Sequence, residues 1–425
     1  MLGGRFRTLS VSILLRRIVF RYFAGKDPGL APEKIEMKRM LFLGCLAGIF
    51  LPLACERLDN DRDLHTGGNE YIFTLEDVAQ LMAAVPVGDA QIGEVRDAVS
   101  ASCGNGYDDE YTMKDLFLTP GAGIGTEKAT RVEAYPEPLR NLLTEHVRRT
   151  LGGTRALDAE QFLDQLSSSD VQIYWPYSEL FEGSSERPVI TFDPGDNSVR
   201  NIGYLRREDG SVEELIVDEE MACQRPVWVI SRNADAEYQS LEMRRREDPD
   251  WGTGGGIVTS GTRASNKNYF QTLVLRSIQA NRQFDSWFAG GSEFLVKVGA
   301  IEDFTASTEA ELRLYTPSVT DFLIVVRRNQ VGKPVDFNAV LVSEWTGMVD
   351  NCAFMMVEDD GGTLTTWKCS AMVRYNSKSY GFEIELPLHS RDDIVWRGAL
   401  TRTYIERNSG AVGHFGDVDL VMEII

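Results

Sequence analysis

Beyond residue 269 the chain alternates apolar and charged residues in short runs separated by turn clusters. Ala310-Glu311-Leu312-Arg313-Leu314 and Phe382-Glu383-Ile384-Glu385-Leu386 show the pattern most clearly. A period of two puts one side chain into a core and the next into solvent, as in a half-buried strand. Further strand-like runs lie at 272–278, 294–298, 322–326, 339–343, 353–357, 394–399 and 418–422. Short strands at this spacing predict an all-β antiparallel sandwich over 269–425.

The preceding region, 71–244, reads as α+β. Thr74 followed by Glu76 and Asp77 is a capped, acidic helix start, and Val78, Leu81 and Met82 then share a face. Pro86-Val87-Gly88 breaks the pattern, and a second helix is expected from about Ala90 to Ser100. Leu139, Leu142, Leu143 and Val147, then Phe162, Leu163 and Leu166, continue the helical period. Short β-like runs follow at 171–175, 188–192, 214–217 and 226–230. Residues 245–268, charged and Gly-rich, read as a linker between the two domains.

Apolar residues make up 43% of the chain and charged residues 25%, enough to build a core and to exclude wholesale disorder. The net charge is −20, but residues 1–54 are basic, so 35 basic and 61 acidic residues remain beyond them. A surface that acidic repels phosphate backbones, and no nucleic-acid partner is expected.

Residues 37–54 read as a lipoprotein signal peptide. Lys38 and Arg39 precede an uncharged apolar run of 14 residues, Leu41 to Ala54. A membrane-spanning helix needs about 20 residues, whereas a signal-peptide core is shorter. Leu51-Pro52-Leu53-Ala54-Cys55 resembles a bacterial lipobox, with Pro52 where Leu is usual. Too few apolar residues precede Cys45 for it to serve instead. The expected product is anchored to the outer membrane or cell surface by a lipid on Cys55. Residues 1–36 read as a spurious upstream extension, since Met37 would start a signal of ordinary length. Residues 55–70 read as a flexible acidic tether.

The acidic stretch Glu56–Asp63 resembles the segment that follows the lipidated cysteine in surface-exported lipoproteins of Bacteroidetes-type bacteria. FDSWFAGGSEF (284–294), EDDGG (358–362) and RDDIVWRG (391–398) look similar to a family of uncharacterised Bacteroidales-type lipoproteins. That family has no assigned function, so the resemblance implies an address and no chemistry.

No motif names a reaction. Gly121–Gly125 lacks the strand and spacing of a dinucleotide fingerprint, and Gly254–Gly256 lacks the Lys-Ser/Thr of a P-loop. The four histidines, His65, His146, His389 and His414, are far apart in sequence, and no HExxH or Gly-x-Ser-x-Gly occurs. No organic cofactor is called for. Calcium would suit Asp-rich turns, chiefly Asp193, Asp196 and Asn197, although none has EF-hand spacing. Tyr174, Trp175 and Tyr177 form the best ligand-binding candidate, because exposed aromatic rings stack on sugars or grip proteins. Strand alternation would still bury one of Tyr174 and Trp175.

With Cys45 removed and Cys55 lipidated, Cys103, Cys223, Cys352 and Cys369 remain. Asp360-Gly361 is a favoured pair for a two-residue hairpin turn. That register sets Cys352 opposite Cys369, and Phe354 opposite Trp367. It predicts a cross-strand Cys352–Cys369 disulfide in an oxidising compartment. Two functions remain open. One is a non-catalytic binding or interaction module for a glycan or protein; the alternative is an extracellular carboxylate-dependent hydrolase such as a glycosidase.

Overall fold

The computed structural model describes residues 72–118, 135–151, 156–196, 198–233, 238–247 and 270–425. The signal segment, Cys55, the tether, Asn197 and most of the linker lie outside the described residues.

The expected helices form where their caps dictate. Thr74 and Asp77 make a reciprocal capping box on α1 (Leu75–Ala84), each side chain accepting the other's backbone amide. The Pro86–Gly88 break separates α1 from α2 (Asp89–Gly104). After the short α3 (Met113–Phe117) come α4 (Leu139–Leu151) and α5 (Ala156–Ser167). Their apolar stripes, including Val78, Met82, Val95, Leu143 and Phe162, bury against one face of a six-stranded sheet.

That sheet runs β1 (Glu110–Thr112), β2 (Val171–Tyr174), β6 (Val227–Arg232), β3 (Val189–Phe192), β4 (Arg200–Arg206), β5 (Val212–Asp218) in spatial order. β3 and β6 are parallel; the other neighbours are antiparallel. A short helix, α6 (Glu219–Gln224), follows β5.

The C-terminal half is a sandwich of two antiparallel sheets. One has the order β10 (Val335–Thr346), β7 (Phe270–Ala280), β16 (Val418–Ile424), β15 (Val412–Phe415). The other runs β13 (Lys378–His389), β12 (Leu364–Tyr375), β11 (Val349–Glu358), β8 (Ser292–Ala300), β9 (Ser318–Val326), with β14 (Asp393–Thr401) also on β11. Both sheets feed one apolar core through Leu273, Leu275, Phe294, Val296, Trp345 and Phe354. Tyr238, Leu241 and Met243 pack into this same core, and α7 (Leu241–Glu247) carries the last two. The α+β region followed by an antiparallel sandwich is therefore the observed fold class.

Two expectations are corrected. Ala310–Leu314 contributes to a helical turn, α8 (Glu309–Leu312), because the Thr308 side chain accepts the Glu311 amide and caps it. The Cys352–Cys369 disulfide is absent: both cysteines are free thiols. β11 touches β12 only at Val349–Val373 and Asn351–Met372. From Cys352 onward that edge of β11 is taken by β14, with Cys352 opposite Leu400. β12 instead pairs along its length with β13, placing Cys369 opposite Ile384. Phe354 accordingly meets Trp396, at 5.7 Å between ring centres, and not Trp367.

Candidate functional site

The loop between β7 and β8 joins the two halves. Trp287 and Phe288 lie in tilted contact, 3.9 Å between ring centres, and enter the sheet face opposite the helices. There they pack among Tyr174, Val189, Val217, Val227 and Val229. The Trp287 indole N–H donates to the Val199 carbonyl at 3.0 Å. Gly290 has φ +134°, and a Cβ there would stand 2.7 Å from Asp108 Oδ2. The next amide, Gly291 N–H, donates to that same oxygen at 2.7 Å. Two glycines thus let the backbone lie directly on a carboxylate. Arg328 completes the joint, with Nε on Glu219 at 2.8 Å and Nη1 on the Gly290 carbonyl at 3.0 Å.

Two carboxylate groups cluster beside this seam. In the first, ligand atoms of Asp359, His389 and Asp392 lie within 4.8 Å of one another. His389 Nδ1 stands 3.4 Å from Asp359 Oδ1 and 3.9 Å from Asp392 Oδ1, and also contacts the Tyr238 hydroxyl at 3.1 Å. The Gly361 amide donates to Asp359 Oδ1, and the His389 amide to Asp392 Oδ2. Burial, and then the Asp392 charge, push the Asp359 carboxyl up to about 6. The buried Lys297 lies near this group, its Nζ donating to the Pro387 carbonyl at 2.6 Å. Burial lowers its pKa, against the pull of Asp321, Asp392 and Asp359.

The second group holds Asp285, Glu358 and Asp360, again within 4.8 Å. Asp285 comes from the seam loop, Glu358 from the end of β11, and Asp360 from the turn after it. Glu358 is 1% exposed; its carboxyl shares a hydrogen bond with Asp285, and its Oε1 meets no other donor among the described residues. Burial, then the neighbouring Asp285, drive the Glu358 carboxyl far upward, so it keeps a proton at neutral pH. Asp285 is raised by burial and by Asp108 and Asp193, while a side-chain hydrogen bond with Glu358 and then the Arg328 charge oppose the rise.

The aromatic candidate does not survive as a stacking platform. Trp175 and Tyr174 are 0% and 2% exposed. Trp175 packs edge-to-face on Trp228 under the helices, and Tyr174 lies under the Trp287 plug. Both faces of this sheet are covered at β2, so alternation leaves neither ring in solvent. Tyr177 is half-buried and donates its hydroxyl to Glu219 at 2.7 Å.

Of the Asp-rich turn proposed for calcium, Asp193 and Asp196 each close a local turn by accepting the Gly195 and Ser198 amides. They do not converge with a third described ligand, and Asn197 lies outside the described residues. Asp193 instead faces the seam closely enough to act on Asp285. Sequence reasoning did not single out Asp285, Glu358, Asp359 or Asp360 as ligands. The acidic runs at 358–360 and 392–393 were the only signal, and nothing local showed that they meet.

No helix among the described residues is long and apolar enough to cross a membrane. No family model, curated protein or solved structure matches the chain.

Proposed function

We propose that this chain is a lipid-anchored, non-catalytic envelope module, of the Bacteroidales-type lipoprotein kind it resembles, that docks a protein partner on its β4–β5 ribbon. The observation that carries the reading is an exposed apolar pair. Ile202 and Ile216 are direct cross-strand partners, and they are 39% and 60% exposed. β5 is the end strand of its sheet, so its outer backbone groups face no strand among the described residues. α1 covers the same sheet face only as far as Tyr204, whose hydroxyl bonds Gln80 and Glu76. An apolar pair on an open edge suits a partner that adds a strand and buries side chains beside it.

Burial of Tyr174 and Trp175 removes the rings that favoured a glycan. The hydrolase reading loses support as well, because Glu358 and Asp359 are 1% and 4% exposed and sit at an interdomain seam. A general acid or base has to reach its substrate.

A photo-crosslinking residue at 216, in cells, is expected to yield one discrete protein adduct that Ile202→Lys abolishes. The same residue at 314, where Leu314 is 79% exposed, is the control. Equal adducts from both positions would overturn the ribbon. Polysaccharide hydrolysis lost in Asp359→Asn would overturn the non-catalytic reading. For the anchor, mass spectrometry is expected to find a mature N-terminal peptide that starts at Cys55 and carries lipid. An unmodified Cys55 inside a longer peptide would refute it.

A further inference from the structure

We propose that the occupant of the β4–β5 ribbon is a basic strand: an extended segment with Lys or Arg two residues before and two residues after an apolar side chain. This rests on the ribbon reading and adds to it the chemistry of the partner.

The phase of the β4–β5 ladder determines what the open edge presents. The Arg207 amide donates to the Ser211 carbonyl at 2.8 Å, so these two residues form a hydrogen-bonded pair. Hydrogen-bonded and non-hydrogen-bonded pairs alternate along an antiparallel ladder, and this one continues from Arg206–Val212 to Arg200–Asp218 in a single register. Tyr204–Glu214 and Ile202–Ile216 are therefore non-hydrogen-bonded pairs. The backbone N–H and C=O of Glu214 and Ile216 point away from β4, toward an edge that no described strand occupies. An added strand takes up these groups, and its alternate side chains stand beside Glu214, Ile216 and Asp218 on one face.

Charge selects what those side chains are. Residues 212–224 contain Glu213, Glu214, Asp218, Glu219 and Glu220 and no Lys, Arg or His. The protein itself supplies positive charge to three of these: Arg207 to Glu213, Arg200 to Asp218 and Arg328 to Glu219. Glu214 and Glu220 are exposed, form no ion pair among the described residues, and bracket Ile216 along the chain. Glu220 also borders a pocket of about 340 Å³ at the end of β5, together with Asp218, Met221, Gln224 and Arg225. Arg225 spends its guanidinium on Glu186 at 3.0 Å and on the Arg187 carbonyl at 3.2 Å. One basic side chain of the partner enters this pocket, its stem on Met221 and its charge at Glu220. The other lies opposite Glu214, and the apolar side chain between them covers Ile216 and Ile202. A second copy of this chain is a poor occupant, because it brings the same five carboxylates to the junction.

The test is fluorescence anisotropy of the whole protein with three labelled peptides: Thr-Lys-Thr-Val-Thr-Lys-Thr, and versions with both Lys replaced by Gln or by Glu. The Lys peptide is expected to bind at least about tenfold more tightly than the Glu peptide, with the Gln peptide between them. Glu214→Lys combined with Glu220→Lys should invert that order, an outcome that misfolding cannot produce. Equal binding of the Lys and Glu peptides, lost in Ile202→Gln, would overturn the basic partner and leave the ribbon standing. An order unchanged in the charge-reversed variant would overturn it as well. Binding of none of the three would also overturn the basic strand, while the crosslink at 216 decides separately on the ribbon.

Discussion

Trp287→Ala is expected to destabilise the protein by about 3–5 kcal/mol, the usual cost of deleting a buried indole. The ring is 3% exposed, lies against Phe288 at 3.9 Å, and belongs to an apolar cluster with six residues of the N-terminal sheet or its flank. Its truncation removes that packing and leaves the Val199 carbonyl without its 3.0 Å donor. The effect should fall mainly on the N-terminal half, whose sheet is covered by helices on one face and by this plug on the other. Chemical denaturation followed by fluorescence should therefore show an early transition split from that of the sandwich. Trp287→Phe keeps most of the apolar volume and should recover more than half of the loss. A change below about 1 kcal/mol in Trp287→Ala would show that the plug is not a structural joint.

The same plug explains which parts of the structure were legible in the sequence. The helices were, because caps and a 3.6-residue period are local signals. Thr74 with Asp77, and the Pro86–Gly88 break, act within one turn of the chain. The sandwich strands were legible from their period of two. Tyr174 and Trp175 were misread because alternation assumes a sheet with one wet face, and a residue more than 100 positions downstream covers the second. Ala310–Leu314 failed for the opposite reason: five alternating residues are too few to outweigh one side-chain cap at Thr308.

The hairpin register failed at longer range. Asp360-Gly361 is a sound local turn signal, but strand pairing is decided by every neighbour. β11 is flanked by β8 on one edge and by β14 on most of the other. With β14 in place, Cys352 lies in the core opposite Leu400 and cannot reach Cys369. The carboxyl cluster at the seam was illegible for a related reason. Asp285, Glu358 and Asp360 come from two separated segments, and their acidity alone matched many solvated turns. Their convergence, with Glu358 buried against Asp285, exists only once the chain has folded.

Stability is expected to fall as pH rises from about 4 to 7, with Asp109 a principal cause. Asp109 is 5% exposed; its Oδ1 accepts from the Ser178 hydroxyl at 2.7 Å and from the Cys103 thiol at 3.3 Å. Those bonds and Arg327 favour the charged form, but burial outweighs them and the Asp108 charge adds to it, pushing the carboxyl up to about 7. The unfolded value is about 3.9. Between the two values the folded chain holds a proton that the unfolded chain has released, so each step upward in pH favours unfolding. The contribution is favourable below about pH 4, declines through the window, and is constant above about 7. Between pH 5 and pH 8 it is on the order of 2 kcal/mol for this one group. Asp109→Asn keeps an oxygen acceptor for Ser178 and removes the titration. Urea midpoints measured at pH 5 and pH 8 should therefore differ by less in the variant than in the parent, mostly through a gain at pH 8. An unchanged difference would show that Asp109 does not carry the pH dependence. A variant less stable at both pH values by the same amount would assign it a purely structural hydrogen-bonding role.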